Sequence, residues 1–483
     1  MITAAESNFL WTSLGLVDPL MARVCGRLPR GGITGISIDS RTLRDGELFF
    51  AIKGVNSDGH DYAGAAFEKG AAAAVVDEAH ADALRLLGPL YVVTDVLAAL
   101  ERLGVAARDR SQARIVAVTG SVGKTSTKEA LRLVLTQAGA SHASAASYNN
   151  HWGVPLSLAR MPKNTRFGIF EIGMNHKGEI TPLTAMVRPN VAIITAIAPV
   201  HLEYFESIDE IADAKAEIFS GLVPGGLAIL NRDIPQYERL LAHAKVSPAG
   251  HVASFGEHVN ADARLISAKV AVDHSVVEAE LRGHHLTYRL GVPGRHFAMN
   301  SLAVLLAAKA FGVDLEGAAG TLASLSPQPG RGERQLLPAE GGPYTLIDES
   351  YNANPASMRA ALALVGALPL RGNGRRIAIL GDMLELGRDG AAMHAELAGD
   401  VAANHIDLVF AAGPLMKHLF EALPGQLQGA WCDKASGLVP IVGAAVQSGD
   451  MVIVKGSNAS RMSAIVDSLK QRAAESLSRA MQC

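Results

Sequence analysis

The 483-residue chain has few cysteines, few aromatic residues and almost no net charge. Its three cysteines, Cys25, Cys432 and Cys483, are far apart, odd in number and without metal-ligand spacing. This pattern argues against a disulfide framework and favours a reducing compartment. Aromatic residues make up only 5% of the chain, whereas glycine and alanine are abundant. Such a composition is typical of closely packed α/β domains and excludes a disordered or fibrous chain.

Neither strong charge nor a long hydrophobic run is present. The formal net charge is -3 and no block of like charge occurs, so nothing predicts a nucleic-acid partner or an anionic membrane surface. The start, MITAAESNFLWTSLGL, lacks a basic segment before an apolar core, which argues against a signal peptide. The apolar stretch 302–308 ends at Lys309, too short for a membrane span. We therefore expect a cytoplasmic, monomeric protein without membrane insertion.

The length and the order of apolar runs predict three α/β domains. At roughly 100–200 residues per domain, the length suggests about three. Short apolar runs alternate with helical patterns, which favours mainly parallel, doubly wound sheets. We predict a small α/β domain over 1–110, a central domain over 111–326 and a Rossmann-like domain over 327–483. VVEAELRGHHLTYRL (276–290) alternates around Gly283 and predicts an antiparallel hairpin appended to the central sheet. The stretch SPQPGRGER (326–334) is the predicted linker.

The predicted strands of each domain are short apolar runs that enter turns. They are ITGISID (33–39), ELFFAIKG (47–54), AAAAVVD (71–77) and LYVVTD (90–95), then IVAVTG (115–120), FGIFEIGM (167–174), VAIITAI (191–197) and GLAILN (226–231), and finally TLIDES (345–350), RIAILGD (376–382), LVFAAG (408–413) and MVIVKGS (451–457).

A glycine-containing turn, TGSVGKTS (119–126), lies between a predicted strand and a predicted helix. Backbone N–H groups and the helix dipole can hold phosphates at such a junction. Its residues are Gly120, Ser121, Val122, Gly123, Lys124, Thr125 and Ser126. Lys124 could reach the outer phosphates and Thr125 could ligate Mg²⁺. Val118 occupies the first glycine position of the strict phosphate-loop pattern, so the match is to a variant.

Three segments together resemble the Mur ligase family: TGSVGKTSTKE, EIGMNHKGEI (171–180) and DESYNANPASM (348–358). The resemblance is greatest to members that join D-Ala-D-Ala to a UDP-N-acetylmuramoyl-tripeptide, and it covers nearly the whole chain. It implies ATP as cosubstrate, two Mg²⁺ ions, an acyl-phosphate intermediate and a role in peptidoglycan precursor synthesis. Positioning and electrostatic stabilisation should dominate catalysis in such a reaction.

The resemblance also implies the metal ligands. It assigns Mg²⁺ to Thr125, to Glu171 at the end of a strand, and to His201. Lys215 is implied to be carbamylated, which would turn a repelled cation into an anion able to contact metal. For each residue a structural role remains the alternative: a strand-end carboxylate, a structural histidine or a solvated helix lysine. Asn175 and His176 are expected near this site.

Further residues are carried over from the same resemblance. Asn300 matches an asparagine near adenine, Arg331 an arginine that reaches the ATP phosphates, and Asp348 an acidic residue near the ribose. Tyr351, Asn352 and Asn354 either touch adenine or shape the turn. The expected substrate contacts are Asn149 and Asn150 near the peptide or phosphates, Asp382, Glu385, Lys455, Ser457 and Asn458 near the dipeptide, and Ser37, Asp39, Ser40 and Arg41 near the UDP-substrate. His60 and Asp61 belong to the resemblance without a predicted role.

Three alternatives stay open at this point. The chain could be a related ligase that adds a single amino acid or glutamate to a folate, although SYNANPASM favours a dipeptide. It could be a nucleotide-binding protein without turnover, although Lys124, Glu171, His201 and Lys215 are all present. A P-loop motor or kinase is disfavoured by the additional domains and the modest charge.

Overall fold

The computed structural model describes residues 9–480, except 55–56, 146, 200–202 and 272. Its strands form a five-stranded, a nine-stranded and a six-stranded sheet in chain order, together with a two-stranded ribbon near the N-terminus. Within the described residues, none of the helices is both long and apolar enough to cross a bilayer. The α/β class is as predicted.

The first sheet has the order β2-β7-β6-β5-β4, with all neighbours parallel except β2 and β7. The stretch predicted as one strand over 33–39 is divided: its start pairs with β1, and its next residues enter the sheet. The bounds are β1 Trp11–Thr12, β2 Arg23–Cys25, β3 Gly32–Ile33, β4 Gly35–Ser37, β5 Glu47–Phe50, β6 Ala73–Asp77 and β7 Leu90–Val93, with helices α1 Val17–Leu20, α2 Ala63–Glu68, α3 Ala81–Leu84 and α4 Val96–Asp109 and 3-10 turns Leu14–Leu16 and Gly59–Tyr62.

The central sheet has the order β16-β15-β14-β13-β12-β11-β8-β10-β9. Seven neighbouring strands are parallel, and β15 and β16 form the predicted antiparallel hairpin around Gly283. The strands are β8 Arg114–Thr119, β9 Ser141–Ala143, β10 Phe167–Glu171, β11 Val191–Ile194, β12 Gly226–Asn231, β13 Ala249–Gly256, β14 Ala263–Val270, β15 Ser275–Leu281 and β16 His284–Leu290. The helices are α5 Lys124–Ala138, α6 Gly153–Ala159, α7 Ile180–Val187, α8 Ile208–Ala216, α9 Tyr237–Val246, α10 Arg295–Ala310 and α11 Leu315–Thr321, with 3-10 turns Glu217–Gly221 and Leu322–Ser324.

The strand order reverses at β8. The chain leaves β8 to build β9 and β10 on one side of it, and later adds β11 and β12 on the other. Strands β8, β10 and β11 are buried along almost their whole length, as expected when helices cover both faces of a parallel sheet. Ligands of such sheets bind beyond the carboxyl ends of the strands at the point of reversal, which here is the turn after β8.

The last sheet has the order β17-β18-β22-β19-β20-β21, and only β17 is antiparallel to its neighbour. The linker predicted over 326–334 ends earlier, because Glu333 and Arg334 already pair with β18. The strands are β17 Glu333–Ala339, β18 Gly342–Glu349, β19 Arg376–Gly381, β20 Leu408–Ala412, β21 Gln428–Cys432 and β22 Met451–Lys455. The helices are α12 Pro355–Ala367, α13 Gly390–Ala403, α14 Met416–Ala422, α15 Ala435–Ala445 and α16 Ser463–Ala480, with 3-10 turns Gly387–Asp389, Gly425–Leu427 and Asn458–Ser460.

The first unit shares an apolar core with the central unit, whereas the last unit does not. Apolar residues of α6, Leu156 and Ala159, belong to the core of the first sheet, and the Trp11 indole donates to the Ala159 carbonyl at 3.0 Å. The two cores of the last sheet contain only residues between 337 and 469. The first unit is therefore fused to the central one, whereas the last unit has a core of its own.

Candidate active site

The turn after β8 has the geometry of a phosphate-binding loop. Gly120 and Gly123 have φ of 149° and 84°, and Gly123 immediately precedes α5. A Cβ on Gly120 would overlap the Thr195 hydroxyl, and one on Gly123 would lie 2.5 Å from the Asn300 side chain. Both glycines are therefore needed for the close packing of this loop. The Lys124 ammonium donates to the Gly120 carbonyl at 2.7 Å and so folds back over the loop.

Polar residues at the ends of neighbouring strands hold this loop. The Thr195 hydroxyl donates to the Val122 carbonyl at 2.6 Å, and the Ser121 hydroxyl donates to the Ala198 carbonyl at 3.1 Å. The Asn231 amide donates in turn to the Thr195 carbonyl at 3.1 Å. Neither Thr195 nor Asn231 was predicted from the sequence. Their signal is a polar residue at the end of an otherwise apolar strand, VAIIT and GLAILN.

Glu171, at the end of β10, lies beside the loop. It is only 1% exposed. Its Oε2 accepts from the Thr125 hydroxyl at 2.9 Å, and its Oε1 accepts from the Asn149 amide at 2.7 Å. A buried carboxylate next to a threonine hydroxyl provides hard oxygen donors, which suit Mg²⁺. Asn149, expected at the substrate, is placed against the carboxylate.

Two lysines face the same region. Burial lowers the pKa of Lys124, the Glu171 carboxylate opposes this shift, and the Arg331 charge adds to it. Lys215, near the end of α8, is 1% exposed, and burial together with the charge of Lys124 holds its pKa well below the usual value. Lys215 makes no hydrogen bond or ion pair within the described part of the chain. Burial therefore favours the uncharged form of this amine. His201, the other predicted metal ligand, lies outside the described residues.

Arg331 brings the linker to the phosphate loop. Its guanidinium donates to the Ser147 hydroxyl at 3.3 Å and lies over the Tyr351 ring, 4.1 Å from the ring centre. Asp348 is 6% exposed and supports this arrangement, because its Oδ2 accepts from the Gly330 N–H at 3.1 Å. Its Oδ1 accepts from the Ser350 hydroxyl at 2.6 Å. Both oxygens of Asp348, expected near a ribose, thus have partners within the protein.

A cavity lies between α5 and the linker, next to the phosphate loop. Its lining combines apolar and polar side chains, among them Ser126, Glu129, Val292, Phe297, Leu325 and Arg331. This small recess lies beside Ser126, at the end of the phosphate loop.

The carboxyl edge of the last sheet carries the other predicted residues. The Lys455 ammonium is 2% exposed, pairs with Glu349 at 3.0 Å and donates to the Asn352 carbonyl at 2.9 Å. Asn354 caps α12: its side chain accepts from the Ser357 N–H, and the Ser357 hydroxyl accepts from the Asn354 N–H. Of the two roles predicted for Asn354, the structure therefore shows the one that shapes the turn.

Asp382 and Ser457 are buried at the same edge. Asp382 accepts from the Met416 N–H at 2.7 Å, and burial raises the pKa of its carboxyl. The Ser457 hydroxyl accepts from the Leu384 N–H at 3.0 Å. Asn458 begins the following 3-10 turn, and Glu385 has a left-handed backbone with φ of 63°.

The N-terminal candidates form a separate group at the carboxyl edge of the first sheet. Ser37 ends β4, and Arg41 makes a two-pronged contact with Asp39 at 3.0 and 2.8 Å. These hydrogen bonds hold the pKa of Asp39 below its usual value. Ser40 is 8% exposed.

Asp58, His60 and His80 are close enough to one another to hold a metal ion. However, both nitrogens of His60 are used, since Nδ1 faces Asp58 at 2.6 Å and Nε2 accepts from the Asp77 N–H at 3.1 Å. Its ring also stacks on His80, with 3.9 Å between the ring centres. This cluster is therefore a satisfied hydrogen-bond network that ties the Gly59–Tyr62 turn to β6, and Asp61 lies within that turn.

Three predicted residues have local roles. Asn150 Oδ1 accepts from the Gly153 N–H at 2.9 Å and so helps to start α6. The Asn175 N–H donates to Glu179, and the His176 ring lies 4.3 Å from the Tyr204 ring.

Family models match the chain in three consecutive parts. "Mur ligase family, catalytic domain" matches residues 32–118, "Mur ligase middle domain" matches 118–308, and "Mur ligase, glutamate ligase domain" matches 332–458. Two relatives named UDP-N-acetylmuramoyl-tripeptide--D-alanyl-D-alanine ligase are each 33% identical to it. The one from Escherichia coli (strain K12) aligns over 92% of this chain and 96% of its own, and the one from Bacillus subtilis (strain 168) over 90% and 93%.

Solved structures agree with these sequence matches. A crystal structure of MurF from Acinetobacter baumannii superposes with a TM-score of 0.81 at 28% identity, and covers 95% of this chain and 99% of its own. MurF ligase from Thermotoga maritima, solved in complex with ADP, has the same fold, with a TM-score of 0.75 at 24% identity over 91% and 98% of the two chains. With family models, relatives and fold in agreement over most of its length, this chain belongs to the Mur ligase family.

Proposed function

We propose that the chain is an ATP-dependent, ADP-forming ligase that joins D-Ala-D-Ala to UDP-N-acetylmuramoyl-tripeptide in peptidoglycan precursor synthesis. The observation that carries this proposal is buried Glu171, which contacts Thr125 of the phosphate loop and lies beside Lys124. The names of relatives that align over most of the chain support the choice of substrates. Asn300, Asp348 and Tyr351 are the expected contacts of the nucleotide.

Mg²⁺ fits the residues around Glu171. Thr125 and Glu171 offer oxygen ligands, and His201 and a modified Lys215 complete the proposed set for two ions. Bound there, Mg²⁺ would neutralise charge on the phosphates during transfer. Lys124 and Arg331 are the cations that this chain itself places around the loop, and their role would be to stabilise negative charge on the transferred phosphoryl group.

The reaction proceeds in two steps. An oxygen of the tripeptide carboxylate attacks the γ-phosphorus, the bond to the β-phosphate oxygen breaks, and ADP leaves. The free amine of D-Ala-D-Ala then attacks the acyl carbon of the mixed anhydride, inorganic phosphate leaves, and the amine proton passes to solvent. Exclusion of water protects the anhydride between the steps.

Carbamylation of Lys215 is part of the proposal and is supported by its lowered pKa. The neutral amine would attack CO₂, a nitrogen–carbon bond would form, and one proton would be released. ¹³C NMR in labelled bicarbonate tests this: a carbamate resonance is expected in the wild-type protein and not in Lys215→Arg. A spectrum without that resonance in the wild type would show that the lysine is unmodified.

The remaining assignments concern the substrate contacts. Residues 1–110 would bind the UDP-substrate through Ser37, Ser40 and Arg41, and 111–326 would bind ATP, with Asn149 and Asn150 near the peptide. Residues 327–483 would bind the dipeptide through Asn352, Asp382, Lys455 and Ser457. The free thiols of Cys25 and Cys432 and the use of ATP support an assignment to the cytoplasm, and we propose a monomer.

The decisive experiment combines the pure protein with ATP, Mg²⁺, UDP-N-acetylmuramoyl-tripeptide and D-Ala-D-Ala, and follows the pentapeptide by mass and ADP by a coupled assay. One ADP is expected for each pentapeptide formed. Reactions with a single amino acid in place of the dipeptide are the matched control. Product with the single amino acid only would assign the chain to another member of the family, and substrate-independent ADP formation would contradict a ligase.

A further inference from the structure

Lys128 is a buried cation to which the proposed reaction gives no role. It lies on α5 four residues after Lys124 and therefore on the same face of the helix, one turn further from the phosphate loop. Its side chain is fully buried. The ammonium donates to the Ser144 carbonyl at 2.9 Å and pairs with Glu129 at 3.0 Å.

Stability alone does not explain this lysine. Removing an ammonium group from water costs several kcal/mol, and an apolar residue of similar volume is often at least as stable in such a position. Glu129 does not depend on Lys128 for a partner, because Arg132 also donates to it at 2.7 Å. Lys128 also donates to the Ser144 carbonyl, a contact that Arg132 does not make.

Ser144 follows β9 and is the first of the residues between β9 and α6, of which 144–145 and 147–152 are described and are here called the connecting loop. The connecting loop contacts the first unit, the central unit and the linker to the last unit. Ser147 accepts from Arg331 at 3.3 Å, and Asn149 donates to Glu171 at 2.7 Å. Trp152 lies against Gly54 of the first unit, where an added Cβ would be 3.1 Å from the indole.

We infer that Lys128 is a positioning residue: its ammonium fixes the start of the connecting loop to the phosphate-loop helix, and thereby holds Asn149 against Glu171. The inference rests on the proposed function, because Glu171 matters as the carboxylate beside the triphosphate. Its structural part, that Lys128 orders the connecting loop, stands without any substrate.

The test compares Lys128→Met with Arg132→Met. Both variants remove one cation from Glu129, but only the first releases the Ser144 carbonyl, so Arg132→Met is the matched control. Lys128→Met is expected to lower kcat by roughly tenfold or more, the usual scale for losing a charged hydrogen bond. The apparent activation constant for Mg²⁺ should rise about fivefold or more by the same reasoning, whereas KM for D-Ala-D-Ala should stay unchanged. Arg132→Met should leave all three values near those of the wild type.

Hydrogen exchange of the free protein gives a second readout. Amides of the connecting loop should exchange faster in Lys128→Met than in Arg132→Met, while the strands β8 and β10 keep their protection. If the wild type lacks ligase activity but this exchange difference appears, the proposed function fails and the positioning role survives. Unchanged exchange and an unchanged Mg²⁺ constant in Lys128→Met would overturn the inference.

A double-mutant cycle with Asn149→Ala separates positioning from general damage. If Lys128 acts through Asn149, the effects of the two substitutions on the Mg²⁺ constant should not multiply. Multiplicative effects would show that Lys128 acts elsewhere. Should Lys128→Met fail to fold, Lys128→Gln, which keeps a donor without the charge, is measured in its place with the same expected direction.

Discussion

At the residue scale, the candidate site concentrates lysines in unusual surroundings. Lys128 and Lys215 are 1% exposed or less, and the pKa values of Lys124 and Lys215 are both lowered by burial. Burying a lysine amino group lowers the free energy of unfolding, so the presence of these lysines beside the phosphate loop indicates function rather than stability.

Lys124→Ala tests the phosphate loop. The substitution removes a cation placed for charge on the triphosphate, and the expected loss in kcat is on the order of 10²–10³ with the fold intact. Steady-state kinetics and far-UV circular dichroism measure both quantities. Lys163→Ala, at an exposed lysine of the same unit, is the control, and wild-type turnover in Lys124→Ala would contradict the assignment of the loop.

Lys215→Met tests the effect of burial on the pKa of this lysine. The folded-state pKa of Lys215 is depressed, whereas the unfolded chain keeps its proton up to the ordinary value of 10.5. The unfolded state therefore binds more protons between these two values, and the stability of the wild type rises with pH across that window. In bicarbonate-free buffer, Lys215→Met should be more stable than the wild type at pH 7, and this difference in stability should shrink as the pH approaches 10.5. The variant should also be inactive.

Urea unfolding at several pH values measures this difference. A stability gain of Lys215→Met that does not change with pH would mean that the lysine is charged in the folded protein, contrary to its surroundings.

At the element scale, the turn over 328–332 fixes where Arg331 points. Gly330 has φ of 73°, its N–H donates to Asp348, and an added Cβ would be 2.9 Å from the Tyr351 Cβ. A side chain there would meet both a strained backbone and the residue on which the Arg331 guanidinium lies. The geometry of this turn therefore depends on glycine.

Gly330→Ala is expected to lower kcat/KM for ATP by about tenfold, since a small misplacement of a charge-stabilising group is costly. Gly372→Ala is its control, because Gly372 also has positive φ, 55°, but nothing within 4 Å of its added Cβ. Both should lose about 1 kcal/mol of stability from the left-handed backbone, and Gly330→Ala should lose more because its Cβ also meets Tyr351; urea unfolding measures both losses. Equal activities of the two variants would argue against a role of this turn in catalysis.

The elements also show what the sequence could predict. Strands buried on both faces, such as IVAVT and VAII, are continuous apolar runs and were predicted within a few residues. Strands β9, β13 and β21 were missed because they are short or only partly buried, so neither apolar run nor alternation marks them. The motif identified Lys124, Thr125 and Glu171. The motif could not predict the hydrogen bond between Asn149 and Glu171, which are 22 positions apart in the sequence. That contact depends on the fold of the connecting loop.

At the scale of the whole molecule, Arg331 joins the last unit to the central one, because its guanidinium lies over the Tyr351 ring and donates to the Ser147 hydroxyl. A ligand that binds only the folded form stabilises it by about 2.7 kcal/mol at 100 times its dissociation constant. If these contacts couple the two units, ADP with Mg²⁺ should raise the unfolding temperatures of both. Calorimetry with and without nucleotide, and with Arg331→Ala, checks this: the variant should lose the shift of the last unit, and a shift confined to the central unit in the wild type would show that they are independent.

The last unit has apolar cores of its own, whereas the first unit shares a core with the central unit. The two units should therefore differ in whether they fold as separate fragments. A recombinant fragment over 327–483 keeps both of its cores and should express as a folded, cooperatively melting protein. A fragment over 1–110 would lack Leu156 and Ala159, and the apolar residues of α4 would then be exposed to water. Such a fragment should precipitate or bind hydrophobic dyes. A fragment boundary placed before β17 should therefore yield a folded last unit, whereas a boundary placed before β8 should not yield a folded first unit.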